Sequence, residues 1–221
     1  MFGKDIVLSD RLFTVLEQSG RRRKFAVEKK PFVTKEQLEE ITKTYPTPFH
    51  LYDEKGIREN ARQLKEAFSW NKGYKEYFAV KATPNPFILN ILKEYGCGTD
   101  CSSMTELMMS KACGFSGNDI MFSSNDTPLE EFAYAAKLGA IINLDDITHI
   151  ECVEQTLGYI PETISCRFNP GGVFKISNDI MDNPGDSKYG MTTEQIFEAF
   201  KILKAKGAKN FGIHAFWQAT R

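Results

Sequence analysis

The sequence predicts an α/β protein built on a parallel sheet, and three observations support this fold class. From about residue 77 onward, short apolar runs alternate with longer stretches of helical period. Capping residues and glycines mark the ends of the intervening helices. Because a helix separates each apolar run from the next, the strands must run parallel with right-handed crossovers. Periodicity alone leaves an open doubly wound sheet and a closed barrel as alternatives.

The first 46 residues form a predicted N-terminal arm, and residues 47–221 form the predicted folded domain. The arm contains a basic run, Arg21–Lys24, which we interpret as a solvated charge run rather than a phosphate or nucleic-acid contact. A short strand, Phe49–Tyr52, and a helix, Ile57–Phe68, are predicted to follow it.

Six strands are predicted in the folded domain. A closed barrel of alternating strands and helices needs eight strands, so six leave such a barrel two short. The predicted strands are Tyr77–Lys81, Cys97–Ser102, Ile120–Ser124, Ala140–Leu144, Thr163–Phe168 and Phe211–Phe216.

Helix boundaries are predicted from their capping residues. Ser103 is a candidate cap for the helix after the second strand. Thr127 is predicted to cap a helix that has Pro128 at its first position and Gly139 as its stop. The last helix is predicted to begin at Thr192 or the next residue.

Composition narrows the possible functions. A formal net charge of -1 gives no electrostatic support for nucleic-acid binding, and no window approaches the run of about 20 apolar residues that spans a membrane. The opening residues lack the apolar core of a secretory signal. Five cysteines without metal-ligand spacing indicate a reduced, cytoplasmic setting, and no metal site is predicted.

Lys81 is the candidate catalytic residue. It ends an apolar strand and is followed by Thr-Pro-Asn-Pro, which prevents the strand from continuing. The carboxyl ends of parallel strands are where α/β proteins bind ligands, and an amine there can attack an aldehyde to form an imine. A lysine that extends from the strand end to water is an equally good interpretation of the residues alone.

Six segments between residues 47 and 216 carry a family resemblance: TPFHLYD (47–53), YFAVKATPNP (77–86), GTDCSSMTEL (98–107), RFNPG (167–171), DSKYG (186–190) and GIHAF (212–216). In this order they resemble segments of alanine-racemase-like, fold-type III enzymes dependent on pyridoxal 5'-phosphate (PLP), and above all of diaminopimelate decarboxylases. YFAVKATPNP is similar to their YAVKA segment, RFNPG to RVNPG and DSKYG to DSKFG.

The resemblance implies a PLP-binding (β/α)8 TIM-type barrel, incomplete here with about six of eight strands, and with the family's C-terminal β domain absent. It implies a homodimer that decarboxylates meso-2,6-diaminopimelate to L-lysine, with PLP bound covalently to Lys81. A decarboxylase of ornithine, arginine or carboxynorspermidine, a racemase, and an inactive PLP-binding fragment remain alternatives.

The same resemblance implies further site residues. Asp100, Ser103, Arg167, His214 and Phe216 are expected at the cofactor, and Lys188 in a substrate loop. Other interpretations stay open: a helix cap for Ser103, a structural ion pair for Asp100 or Arg167, and a core histidine with satisfied hydrogen bonds for His214. Phe216 departs from the family, which has a histidine there, although an aromatic ring can still stack on the cofactor.

The family's phosphate loop, its acidic partner for the pyridine nitrogen and its β domain would lie beyond Arg221. An open barrel would expose an unpaired sheet edge, so we expect this chain to be impaired and to aggregate when expressed alone. Relatives with GIHAF continue with Leu-Ala-Ser-Asn-Thr. The bases for those residues, read one position out of frame, encode Trp217–Arg221, which suggests a single-base frameshift.

Overall fold

A computed structural model describes residues 30–172, 185 and 187–215. The chain divides into two compact units, Met1–Asp53 and Glu54–Arg221. Among its described residues, the first unit contains helix α1 (Lys35–Thr44), which begins with a capping box between Thr34 and Gln37. The predicted strand Phe49–Tyr52 is wrong, since these residues form no strand. The basic run near residue 21 lies outside the described residues.

The second unit contains a six-stranded sheet in which every strand is parallel to its neighbours, in the order β1 to β6. This confirms the predicted α/β class and the six predicted strands. Within the described residues the sheet does not close, so the barrel is incomplete. The strands are β1 (Tyr77–Ala79), β2 (Gly98–Cys101), β3 (Ile120–Phe122), β4 (Ile141–Leu144), β5 (Thr163–Phe168) and β6 (Asn210–Ala215).

Helices connect the strands as predicted. Short 3-10 turns, Val80–Ala82 and Gly117–Asp119, follow β1 and precede β3. The remaining helices are α2 (Glu54–Ala67), α3 (Pro86–Glu94), α4 (Met104–Ala112), α5 (Leu129–Leu138), α6 (His149–Leu157) and α7 (Thr193–Ala205).

Two predicted helix starts have different outcomes. The last helix, α7, begins at Thr193, the second of its two predicted starts, and Thr192 caps it by accepting a hydrogen bond from Gln195 N. The Thr127 cap is wrong: Pro128 occupies the N-cap position of α5 with an extended ψ of 145°, so helical geometry begins only at Leu129. Gly139 ends this helix in the left-handed conformation, as predicted.

The core lies between one face of the sheet and the helices. In β3, Phe122 is fully buried and meets the fully buried Phe132 of α5 edge to face, with ring centroids 6.1 Å apart. Strand alternation sends neighbouring side chains to the opposite, inner face. The apolar residues therefore stabilise the helix-covered face, whereas the inner face carries both apolar side chains, such as Met121 and Ile141, and polar ones. Among the described residues, no helix is both long enough and apolar enough to cross a membrane.

Candidate cofactor site

The inner face of the sheet borders a cavity of about 430 Å³. This volume is in the range that proteins use for small ligands. The polar residues that line it include Asp100 in β2, Ser123 directly after β3, Ser165 in β5 and His214 in β6.

Lys81 lies just beyond β1 rather than within it. The predicted strand Tyr77–Lys81 ends at Ala79, because Val80–Ala82 forms a 3-10 turn that is closed by a hydrogen bond from Thr83 N to Val80 O. Lys81 is also exposed, although its neighbour Val80 is fully buried. The turn nevertheless places Lys81 directly after the carboxyl end of β1, at the edge of the sheet where the other candidate residues lie.

Asp100 is linked to the neighbouring strand. The Ser123 hydroxyl donates a hydrogen bond of 2.6 Å to Asp100 Oδ1. Burial raises the pKa of Asp100, and the Ser123 hydrogen bond and the positive charge of Lys81 act against this rise. The positive charge of Lys81 therefore favours the ionised form of Asp100.

Arg167 forms a structural ion pair, which the sequence left open as an alternative for either Asp100 or Arg167. Its Nη1 lies 2.8 Å from Asp145 Oδ1, and both side chains are largely buried. Among the described residues, Asp100 forms no such pair and bonds to Ser123 instead.

Ser103 is placed as a helix cap. Its hydroxyl accepts from Glu106 N at 3.5 Å and donates to Glu106 Oε1 at 3.0 Å. Glu106 also accepts a hydrogen bond from Ser102 N at 3.1 Å. These contacts fix the turn between β2 and α4, next to Asp100 in the chain.

His214 is paired in register with Arg167 across β5 and β6. Burial lowers its pKa, the charges of Arg167 and Lys81 lower it further, and Asp145 acts in the opposite direction. The expectation of a satisfied core histidine is not met, because His214 Nδ1 is buried and has no hydrogen-bond partner in the described chain. Phe216, the other residue expected here, lies outside the described residues.

Lys188 is exposed, with its Nζ 5.6 Å from the centre of the Tyr189 ring. The Arg167 guanidinium lies over the same ring, 5.2 Å from its centre. Tyr189 thus connects the predicted substrate segment to the end of β5.

Two residues of the site were not predicted from the sequence: Asn143 in β4 and Asp145 directly after it. Asn143 is buried, and neither its amide nitrogen nor its amide oxygen has a partner within the described residues. Asp145 pairs with Arg167. By strand alternation the two share the inner face of the sheet. The signal was a polar residue at every second position of Ile-Asn-Leu-Asp, residues 142–145.

These features fit PLP. The site offers an amine at the strand ends, and buried polar atoms of Asn143 and His214 that lack protein partners in the described chain. Such atoms are costly unless a ligand or water satisfies them. In the same described residues, no group of three or more histidine, cysteine or acidic side chains is arranged to hold a metal ion.

Comparison with known proteins is consistent with this geometry. Residues 54–215 match the family model described as pyridoxal-dependent decarboxylase, pyridoxal binding domain. Protein TabA of Pseudomonas amygdali pv. tabaci is 40% identical over 183 residues, which are 83% of this chain. Diaminopimelate decarboxylase of Helicobacter pylori strain J99 is 34% identical over 75% of this chain. This chain spans about 42% of the length of both relatives.

Solved structures show the same fold. The crystal structure of diaminopimelate decarboxylase from Helicobacter pylori, complexed with L-lysine, superposes with a TM-score of 0.73 at 30% sequence identity. The match covers 80% of this chain and 46% of that one.

Proposed function

This chain belongs to the pyridoxal-dependent decarboxylase family, and we propose that it is the cofactor-binding part of an enzyme that removes the carboxyl group of an amino acid. The observation that carries the proposal is the convergence of Lys81, Asp100, Arg167 and His214 at the carboxyl edge of one parallel sheet. In a parallel α/β protein this edge is where the connecting loops meet and ligands bind. PLP supplies an electron sink for the bond that breaks, and the protein binds and orients the reactants.

Each side chain has a proposed role that follows from its surroundings. Lys81 carries the amine that binds PLP covalently, and its exposure gives that amine access to an incoming cofactor. Asp100 provides a negative charge near Lys81 and is oriented by Ser123.

The other inner-face residues are proposed to bind the cofactor. His214 and Asn143 bring buried polar atoms without protein partners in the described chain, which a bound cofactor or its waters would satisfy. Arg167 is held by Asp145 at the end of β5, next to His214 in register. Ser103 is proposed to support the cofactor site through the turn that it caps, next to Asp100 in the chain.

We further propose meso-2,6-diaminopimelate as the substrate and L-lysine as the product, in a homodimer. Support comes from the diaminopimelate decarboxylases among the relatives, at 29% identity in Thermoplasma acidophilum and 34% in Helicobacter pylori. The Helicobacter pylori structure that superposes on this chain contains L-lysine.

A decarboxylase of a different amino acid is the second candidate. The identity to Protein TabA, at 40%, exceeds that to the diaminopimelate decarboxylases of Thermoplasma acidophilum and Helicobacter pylori. Phe216 also replaces a histidine that the family resemblance leads us to expect. The higher identity to Protein TabA supports this second candidate, whereas the change at Phe216 concerns the cofactor rather than the substrate.

One experiment tests the proposal. The purified protein is incubated with PLP, reduced with borohydride and digested, and the labelled peptide is identified by mass spectrometry. We expect the label on Lys81. Release of carbon dioxide is then compared among meso-2,6-diaminopimelate, ornithine, arginine and carboxynorspermidine. Label on a different lysine would refute the cofactor assignment, and preference for another amino acid would replace the proposed substrate.

A further inference from the structure

Asp145 follows β4 and is only 5% exposed. Its two carboxylate oxygens contact different parts of the chain. Oδ1 lies 2.8 Å from Arg167 Nη1, and Oδ2 accepts a hydrogen bond of 3.4 Å from Gly190 N. One buried carboxylate therefore joins the end of β4, the end of β5 and the segment that leads into α7.

Residues 187–191 are attached to β5 by further contacts. Met191 N donates to Arg167 O, and Asn169 N donates to Met191 O, each at 2.8 Å. The Asn169 side-chain amide donates to Tyr189 O at 2.8 Å. The segment that carries Lys188 is thus held by Arg167 of β5, by Asn169 just after β5 and by the Asp145 carboxylate.

Arg167 is confined on several sides. Its guanidinium lies between Asp145 and the Tyr189 ring. A Cβ placed on Gly190 would lie 3.2 Å from Arg167 Cγ, so the aliphatic part of this side chain packs closely on the Gly190 backbone. Asp145 touches both members of this contact, which makes it the common partner of Arg167 and the segment.

We propose that Asp145 is a positioning residue, which holds Arg167 and residues 187–191 as one ordered unit beside the cofactor cavity. The inference rests on the proposed function, because it assigns this unit to the PLP site. A carboxylate is suited to the task because it accepts hydrogen bonds at both oxygens and strengthens each through its charge. An asparagine of the same shape keeps one acceptor and loses the charge.

The test compares Asp145→Asn with Asp146→Asn. Asp146 is the adjacent carboxylate and bonds to Thr148 N and Oγ1 at 2.9 and 2.6 Å, on a different segment. Backbone hydrogen exchange over residues 187–191 is measured in the absence of PLP. We expect exchange to rise about tenfold or more in Asp145→Asn, as expected for losing a charge-assisted contact, and to stay at the wild-type rate in Asp146→Asn. Equal rates in all three proteins would overturn the inference.

A positioning role also requires an effect on the cofactor. The affinity for PLP is measured by equilibrium titration, and we expect it to fall several-fold in Asp145→Asn and to be unchanged in Asp146→Asn. Unchanged affinity in Asp145→Asn would also overturn the inference, even with faster exchange, since the contact would then only stabilise the segment. A wild-type protein that binds no PLP refutes the proposed function, and the inference with it; unaltered exchange in a protein that binds PLP refutes the inference alone.

If Asp145→Asn does not fold, the double variant Asp145→Asn, Arg167→Gln replaces it. This pair of substitutions removes both charges of the Asp145–Arg167 ion pair, so neither of these two charges is left buried alone. We expect the same acceleration of exchange over residues 187–191, with Arg167→Gln alone as the reference. Exchange no faster in the double variant than in Arg167→Gln would overturn the role of the Asp145 carboxylate at Gly190.

Discussion

Ser123 Oγ lies 2.6 Å from Asp100 Oδ1, and this hydrogen bond joins the carboxyl ends of two neighbouring strands, β2 and β3. Burial raises the pKa of Asp100 in spite of this bond. Burial acts to raise the pKa of Asp146, after β4, but the hydrogen bonds from Thr148 and the charge of His149 together lower it below its ordinary value. The pKa values of these two carboxyl groups, at the same edge of the sheet, are therefore shifted in opposite directions.

The opposite shifts predict opposite pH dependences. A raised folded pKa contributes stability that is present below the unfolded pKa of about 3.9 and is lost as the pH rises through the folded pKa. The wild type should therefore lose stability relative to Asp100→Asn as the pH rises above about 4, by at most about 1.4 kcal/mol per pH unit. Relative to Asp146→Asn, the wild type should lose stability as the pH falls through the folded pKa of Asp146. Urea unfolding of the three proteins at several pH values measures both trends, and a trend of the same sign for both variants would contradict the assignment.

The sequence predicts more of the fold than of the site. Strands such as Thr163–Phe168 were predicted to the residue because apolar runs between helix caps mark them directly. Lys81 was placed in a strand, since sequence patterns do not separate the last strand residue from a 3-10 turn that follows it. The Pro128 boundary failed for a similar reason, because Pro fits both the first helical position and an extended residue before it.

The sequence could not predict which residues of the site contact one another. Arg167 and Asp145 are 22 residues apart, and their contact depends on how two strands pair. Asp145 was overlooked because one carboxylate after a strand has no distinctive pattern of its own. Asn143 was overlooked because its significance is that it is buried without a partner in the described chain, which only the structure reveals.

His214 should titrate below the ordinary histidine value, because burial and the charge of Arg167 lower its pKa. Asp145 acts to raise that pKa, so Asp145→Asn should lower it further, whereas Arg167→Gln should raise it. NMR titration of the imidazole resonance, assigned by its loss in His214→Gln, measures all three midpoints. Shifts of the same direction in the two variants would show that the ion pair does not control this histidine.

Lys81→Ala should abolish covalent attachment of PLP. The matched control is Lys111→Ala, which removes an exposed lysine from α4, a helix on the opposite face of the sheet from the cavity. After borohydride reduction, mass spectrometry should find no cofactor on the Lys81→Ala protein and the wild-type amount on the control. Retained label in Lys81→Ala would remove the central residue of the proposed site.

Phe122→Ala should destabilise the domain by about 3–5 kcal/mol, because it deletes a fully buried ring from the core. Its edge-to-face contact with Phe132 is lost as well. Phe87→Ala is the control, since Phe87 is 80% exposed and should change the stability by about 0.5 kcal/mol or less. Chemical denaturation monitored by circular dichroism compares them, and similar losses would show that Phe122 is not at the centre of the core.

Gly190→Ala should disturb the Arg167 contact, and Gly158→Ala separates this effect from backbone strain. Both glycines have positive φ, 83° and 76°, so alanine costs about 1–2 kcal/mol at either position. A Cβ on Gly158 meets nothing within 4 Å, whereas one on Gly190 lies 3.2 Å from atoms of Arg167 and Asn169. The loss of unfolding free energy should therefore be larger in Gly190→Ala, and hydrogen exchange over residues 187–191 should increase only in that variant. Equal losses with unaltered exchange would mean that Arg167 and Asn169 move aside easily, and that the close packing around Gly190 does not order the segment.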